Sequence, residues 1–142
     1  MSEKVLLVDD EPDFLEVMAE RMTARGMNVV TATSADEALT RITEESFDAV
    51  VLDFMMPGMD GIETLRKLKE DRPELQIILL SGYATVEKSV EAMKLGAMDF
   101  MEKPADIDKL TAKIKDAQAE KMVLVEKQSA ERIQKILEDK GW

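Results

Sequence analysis

Apolar positions in this chain follow two rhythms that alternate along its first hundred residues. Short runs at Lys4-Val5-Leu6-Leu7-Val8, Met27 to Ala32, Ala49-Val50-Val51-Leu52, Gln76-Ile77-Ile78-Leu79-Leu80 and Asp99-Phe100-Met101-Glu102 are too brief for helices. The unbroken ones suit strands buried on both faces of a parallel sheet. Between them, apolar residues return every three or four positions: Leu15, Met18, Ala19 and Met22, then Ala38, Leu39 and Ile42, then Leu65 and Leu68, then a stretch from Val86 to Leu95. These are the inward stripes of amphipathic helices. The punctuation agrees. Pro12 opens the first helix and Gly26 stops it, Ser34 and Glu37 form a capping box, Arg72-Pro73 breaks the third helix, and Gly96 ends the fourth. Five strand–helix units with helices this short allow only parallel, right-handed crossovers. The expected fold is therefore α/β, a doubly wound (βα)5 sheet of strand order 2-1-3-4-5, with the Met27 strand at an edge.

From Ala105 the helical rhythm outlasts the sheet. Ile107, Leu110, Ile114 and Ala117 keep step, after which Lys121 and Gln128 occupy the seam and the apolar set shifts to Val123, Ala130, Ile133 and Leu137, a stutter or a kink. No Gly or Pro interrupts residues 105 to 140, so an extended C-terminal helix of roughly 50 Å is expected at 1.5 Å per residue. The chain then divides into a domain over 1–118 and a helical extension or linker over 119–142. One outcome for the extension is a homodimer through a parallel coiled coil with Leu124, Ile133 and Leu137 in or near the seam; the other is a tail folded back on its own domain.

Composition narrows the function. In 142 residues with a net charge of -11 there is no cysteine and no histidine. That excludes a thiolate or imidazole metal site, a Ser-His or Cys-His machine, and a phosphohistidine relay within the chain. Residues 105 to 142 hold 8 basic and 8 acidic side chains, so the acidic excess lies wholly in residues 1 to 104. Direct nucleic-acid binding is not expected of such a surface. No apolar run approaches the roughly 20 residues of a membrane span. The start passes almost directly into a strand without a signal peptide, which makes the cytoplasm the expected compartment.

The chemistry collects at the carboxyl ends of the strands, where open α/β sheets bind ligands. Strand one delivers Asp9-Asp10, strand three Asp53, strand four Ser81 and strand five Lys103. Two or three carboxylates pressed together need a cation, and with oxygen ligands alone Mg²⁺ is the fitting ion. Lys103 adds a compact positive charge and Ser81 a hydroxyl donor. The set describes a small phosphoryl site with an aspartate nucleophile. No Walker lysine loop or kinase glycine loop is present, so the phosphoryl donor must bring its own leaving group.

The stretches V-D-D at 8 to 10, V-L-D-F-M-M-P-G-M-D-G at 51 to 61, L-L-S-G-Y-A at 79 to 84, G-A-M-D-F at 96 to 100 and K-P at 103 to 104 resemble, as a set, the receiver domain of two-component response regulators, whose fold is flavodoxin-like. The resemblance implies that Asp53 accepts a phosphoryl group from the phosphohistidine of a partner histidine kinase or phosphotransfer protein, making the chain a switch and not a turnover enzyme. It implies that Asp10, Asp53 and the Met55 carbonyl hold Mg²⁺ with Asp9 behind them, and that Ser81 and Lys103 hold the phosphoryl oxygens. The Lys103-Pro104 bond would be cis. Ser81 and Phe100 would switch the face built by the last two strand–helix units, Phe100 without a hydroxyl to report its rotation. Met55 and Tyr83 would flank the water path to phosphorus, and neither offers a carboxylate or amide, so slow self-dephosphorylation is expected. Phe14 and Val17, off the buried stripe of the first helix, are expected to be exposed for docking the kinase. Two rivals fit less well. A dehalogenase-type phosphatase wants an acid where Met55 stands, and a flavin carrier wants a hydroxyl-rich phosphate loop.

Overall fold

The computed structural model describes residues 2–54, 60–82, 86–103 and 106–141. Strands β1 (Lys4–Val8), β2 (Asn28–Ala32), β3 (Ala49–Asp53), β4 (Ile77–Ser81) and β5 (Asp99–Glu102) alternate with helices α1 (Pro12–Ala24), α2 (Ala35–Glu44), α3 (Gly61–Asp71), α4 (Val86–Lys94) and α5 (Ile107–Asp139). Every pairing is parallel and the order is β2-β1-β3-β4-β5, the doubly wound arrangement expected from the alternation.

Alternation along each central strand sorts the core into two layers. Val50, Leu52, Ile77 and Leu79 pack with Ala38 and Ile42 of α2, Leu65 and Leu68 of α3 and Ala92 of α4. Their neighbours Ala49, Val51, Ile78 and Leu80 pack on the other face with Leu15, Met18 and Met22 of α1 and Leu110, Ile114 and Ala117 of α5. Each fully buried Leu or Ile contributes about 1.5–3 kcal/mol, so a polar group mid-strand would be costly and the central strands β1, β3 and β4 admit one only at their ends.

Element boundaries follow local hydrogen bonding. Gly26 takes a positive φ of 87° and Met27 N–H donates back to Met22 O, so Met27 is tied to the end of α1 and β2 begins one residue later than its apolar run suggests. Ser34 Oγ accepts the Glu37 N–H at 3.1 Å, whereas the returning Glu37 carboxylate lands on Thr33, one residue before the cap.

Helix α5 is capped by Asp106, whose carboxylate accepts from the N–H groups of Asp108 and Lys109. It runs back along the sheet until Gln118 and Lys121 reach Asp48 and Ser46, beside the start of β3. It then continues past the sheet edge opposite the carboxyl ends of the strands. The expected stutter or kink is a turn of the apolar face on one uninterrupted helix: at about 100° per residue, the stripe of Met122, Ile133, Ile136 and Leu137 lies about a third of a turn from Leu110, Ile114 and Ala117. Met122, Ile133 and Ile136 are exposed. Leu124 and Ile133, nine residues apart, stand on opposite sides of such a helix, so they cannot share the single seam that the sequence pattern suggests for both. Among the described residues no helix is long and apolar enough to cross a membrane.

Candidate functional site

The parallel ladders deliver the expected side chains to one edge. Asp53 ends β3 and Ser81 ends β4, while Asp9 and Lys103 directly follow β1 and β5. The ladder bonds continue one step further, with Asp9 N–H donating to Ala32 O, Phe54 N–H to Leu80 O and Lys103 N–H to Ser81 O, at 2.8–3.1 Å. The site therefore stands on hydrogen-bonded backbone and its residues have fixed spacing.

Three carboxylates meet there. Asp9, Asp10 and Asp53 each offer an oxygen, all within 4.8 Å of one another. Asp9 and Asp53 are 1% and 5% exposed, so their charges must be compensated locally. Lys103 compensates them, its Nζ standing 2.6 Å from Asp9 Oδ2 and 3.6 Å from Asp53 Oδ2. Burial works against the lysine's charge, but the Asp9 hydrogen bond and the fields of Asp53, Asp9 and Glu11 outweigh it and raise the Lys103 pKa above its ordinary value. Lys103 is thus cationic throughout the neutral range. The other Asp9 oxygen accepts the Glu11 N–H at 2.9 Å, so both oxygens of Asp9 are engaged within the protein.

Around this centre the structure adds contacts that the sequence pattern does not announce. Phe14, whose place off the buried stripe predicts exposure beside Val17, is instead half-buried against the α1–α5 core layer, and Lys103 Nζ lies 4.3 Å from its ring centroid. Val17 is exposed, as expected. Phe54, directly after Asp53, is buried against Phe100 with ring centroids 5.6 Å apart, and Lys88 of α4 lies over its outer face at 5.3 Å. An aromatic beside a strand-end carboxylate is the signal in the sequence that points to Phe54. The Met55 carbonyl, the Met55 and Tyr83 flanks and the Lys103-Pro104 bond fall outside the described residues.

The response regulator receiver domain family matches residues 5–115. This chain belongs to that family. As a receiver it is a phosphorylation-controlled switch of two-component signalling, a family whose chemistry uses Mg²⁺ and whose partners are histidine kinases or phosphotransfer proteins. It is 37% identical over 115 residues to the transcriptional regulatory protein ZraR of Escherichia coli (strain K12), covering 81% of this chain and 26% of ZraR. It is 38% identical over 112 residues to the nitrogen assimilation regulatory protein NtrX of Azorhizobium caulinodans, covering 78% of this chain and 25% of NtrX. The receiver thus spans about a quarter of the length of these relatives. Among solved structures, a CheY-like receiver from Methanospirillum hungatei JF-1 superposes with a TM-score of 0.80 at 32% identity, covering 86% of this chain and 98% of that one. The beryllofluoride-activated NtrC4 receiver domain dimer gives 0.78 at 34%, covering 83% and 98%.

Proposed function

We propose that Asp53 is the phosphoacceptor of this receiver, fed in the cytoplasm by a histidine kinase or phosphotransfer protein. The observation that carries the reading is the convergence of three carboxylates at the end of the central strand, two of them, Asp9 and Asp53, paired with Lys103. An Asp53 oxygen attacks phosphorus, the bond from phosphorus to the donor's imidazole nitrogen breaks with its electron pair leaving on that nitrogen, and an acyl phosphate forms. Lys103 and the Ser81 hydroxyl take up the charge on the phosphoryl oxygens.

The donor set fits Mg²⁺, being all oxygen and partly open through Asp10. Asp10 and Asp53 would hold the ion with the Met55 carbonyl, and Asp9, already engaged by Lys103 and Glu11 N–H, would stand behind them. When bound, the ion neutralises phosphoryl charge between donor and acceptor. The catalytic range of this reading is the receiver's own phosphorylation and its slow loss, with Met55 and Tyr83 leaving the attacking water unheld. Ser81 and Phe100 carry the change outward, Phe100 through its contact with Phe54.

The test is labelling by a small phosphodonor such as phosphoramidate with Mg²⁺. The wild type takes one acid-labile phosphoryl group and Asp53→Asn takes none. Stable labelling of a folded Asp53→Asn protein would overturn the assignment.

A further inference from the structure

We infer that Phe14 is a positioning residue of the phosphoryl site, its ring face holding the Lys103 ammonium above Asp53. This rests on the reading of Asp53 and Lys103 given above.

The geometry singles Phe14 out. A lysine ammonium is a strongly hydrated point charge on a flexible four-carbon stem, and nothing in the stem fixes where it rests. Here it is held by a 2.6 Å bond to Asp9, a looser 3.6 Å approach to Asp53, and an aromatic face at 4.3 Å. The last distance is well inside the roughly 6 Å over which a ring quadrupole attracts a cation. A third carboxylate in that place would bind the ammonium more tightly but would take up its N–H groups. A ring supplies attraction without an acceptor oxygen, so the donors of Lys103 stay available to phosphoryl oxygens. Phe14 also sits in the first turn of α1 and packs on the core layer that contains Leu15 and Met18, which fixes the ring more firmly than an exposed side chain.

Bulk and ring face are separable. Leucine fills the apolar space but presents no quadrupole, tyrosine and tryptophan keep the face, and stepwise ring fluorination weakens the quadrupole with little change in shape. Phosphorylation of the full chain by phosphoramidate at saturating Mg²⁺ is the measurement. We expect Phe14→Leu to slow it about three- to tenfold, Phe14→Tyr and Phe14→Trp to stay within about twofold, and fluorinated phenylalanines at position 14 to lower the rate monotonically with fluorine number. In a Lys103→Met background, Phe14→Leu should change the rate by less than about twofold, because the partner of the ring is gone. A flat fluorine series, or a loss on Phe14→Leu that persists undiminished without Lys103, overturns the inference. Wild-type protein that takes no label at Asp53 would instead overturn the reading beneath it.

Discussion

Gly61 is where a single methyl group reaches the site. The dipeptide Asp60-Gly61 reads as turn chemistry, yet Gly61 is the first residue of α3 and has no positive φ. Its reason is room: a Cβ there would stand 2.5 Å from the Phe54 carbonyl oxygen and 2.7 Å from the Phe54 ring. Two effects compete in Gly61→Ala. Helix propensity favours alanine by up to about 1 kcal/mol. A clash with a backbone atom costs about 1–3 kcal/mol and cannot be relieved by a rotamer change. We expect the clash to win, lowering the melting temperature by several degrees and slowing phosphorylation, since Phe54 adjoins Asp53; a thermal melt at or above the wild-type midpoint would contradict this. The residues at the strand ends are readable in the sequence because a carboxylate that closes an apolar run is tolerated only where the strand leaves the core. Phe14 is not readable in that way. Helical periodicity assigns a side chain to a face, but it says nothing of which distant residue extends across that face, and Lys103 arrives there from the last strand.

Helix α1 carries two neighbouring apolar residues with different duties. Phe14 is half-buried under Lys103, whereas Val17 is about half exposed, at 48%. A substitution at Phe14 therefore mixes partner docking with site chemistry, and Val17 separates them. We expect Val17→Asp to slow transfer from a cognate kinase about tenfold or more while phosphorylation by phosphoramidate stays at the wild-type rate; equal rates with the kinase would remove Val17 from the docking surface. The order and type of the strands and helices are legible because each has its own apolar period, and Gly26, Arg72-Pro73 and Gly96 mark three of the helix ends. What escapes is phase along α5. Leu124 and Ile133 both read as apolar members of one tail, and only counting turns on an unbroken helix shows that they face opposite ways.

The distal part of α5 extends the protein at the end opposite Asp53. Met122, Ile133 and Ile136 leave apolar area in water along a helix whose hydrogen bonds to the start of β3, among the described residues, reach as far as Lys121. A second copy pairing along this stripe would cover it, with Glu126 in the stripe lowering the affinity. Sedimentation should then show a dimer whose dissociation constant rises about tenfold or more in Ile133→Asp, and a strict monomer at high concentration in both phosphorylation states would leave the tail to its own domain. The arm departs from the edge opposite Asp53, so a kinase seated on α1 and a partner on the arm do not compete for space. About twenty residues lie beyond Lys121, an arm of about 30 Å. Hinged at that point, it magnifies whatever happens beside it: a tilt of about 10° at the Asp48–Lys121 pivot would sweep the tip through about 5 Å, as far as one turn of helix, so a small adjustment at the pivot is enough to change what the far end can reach.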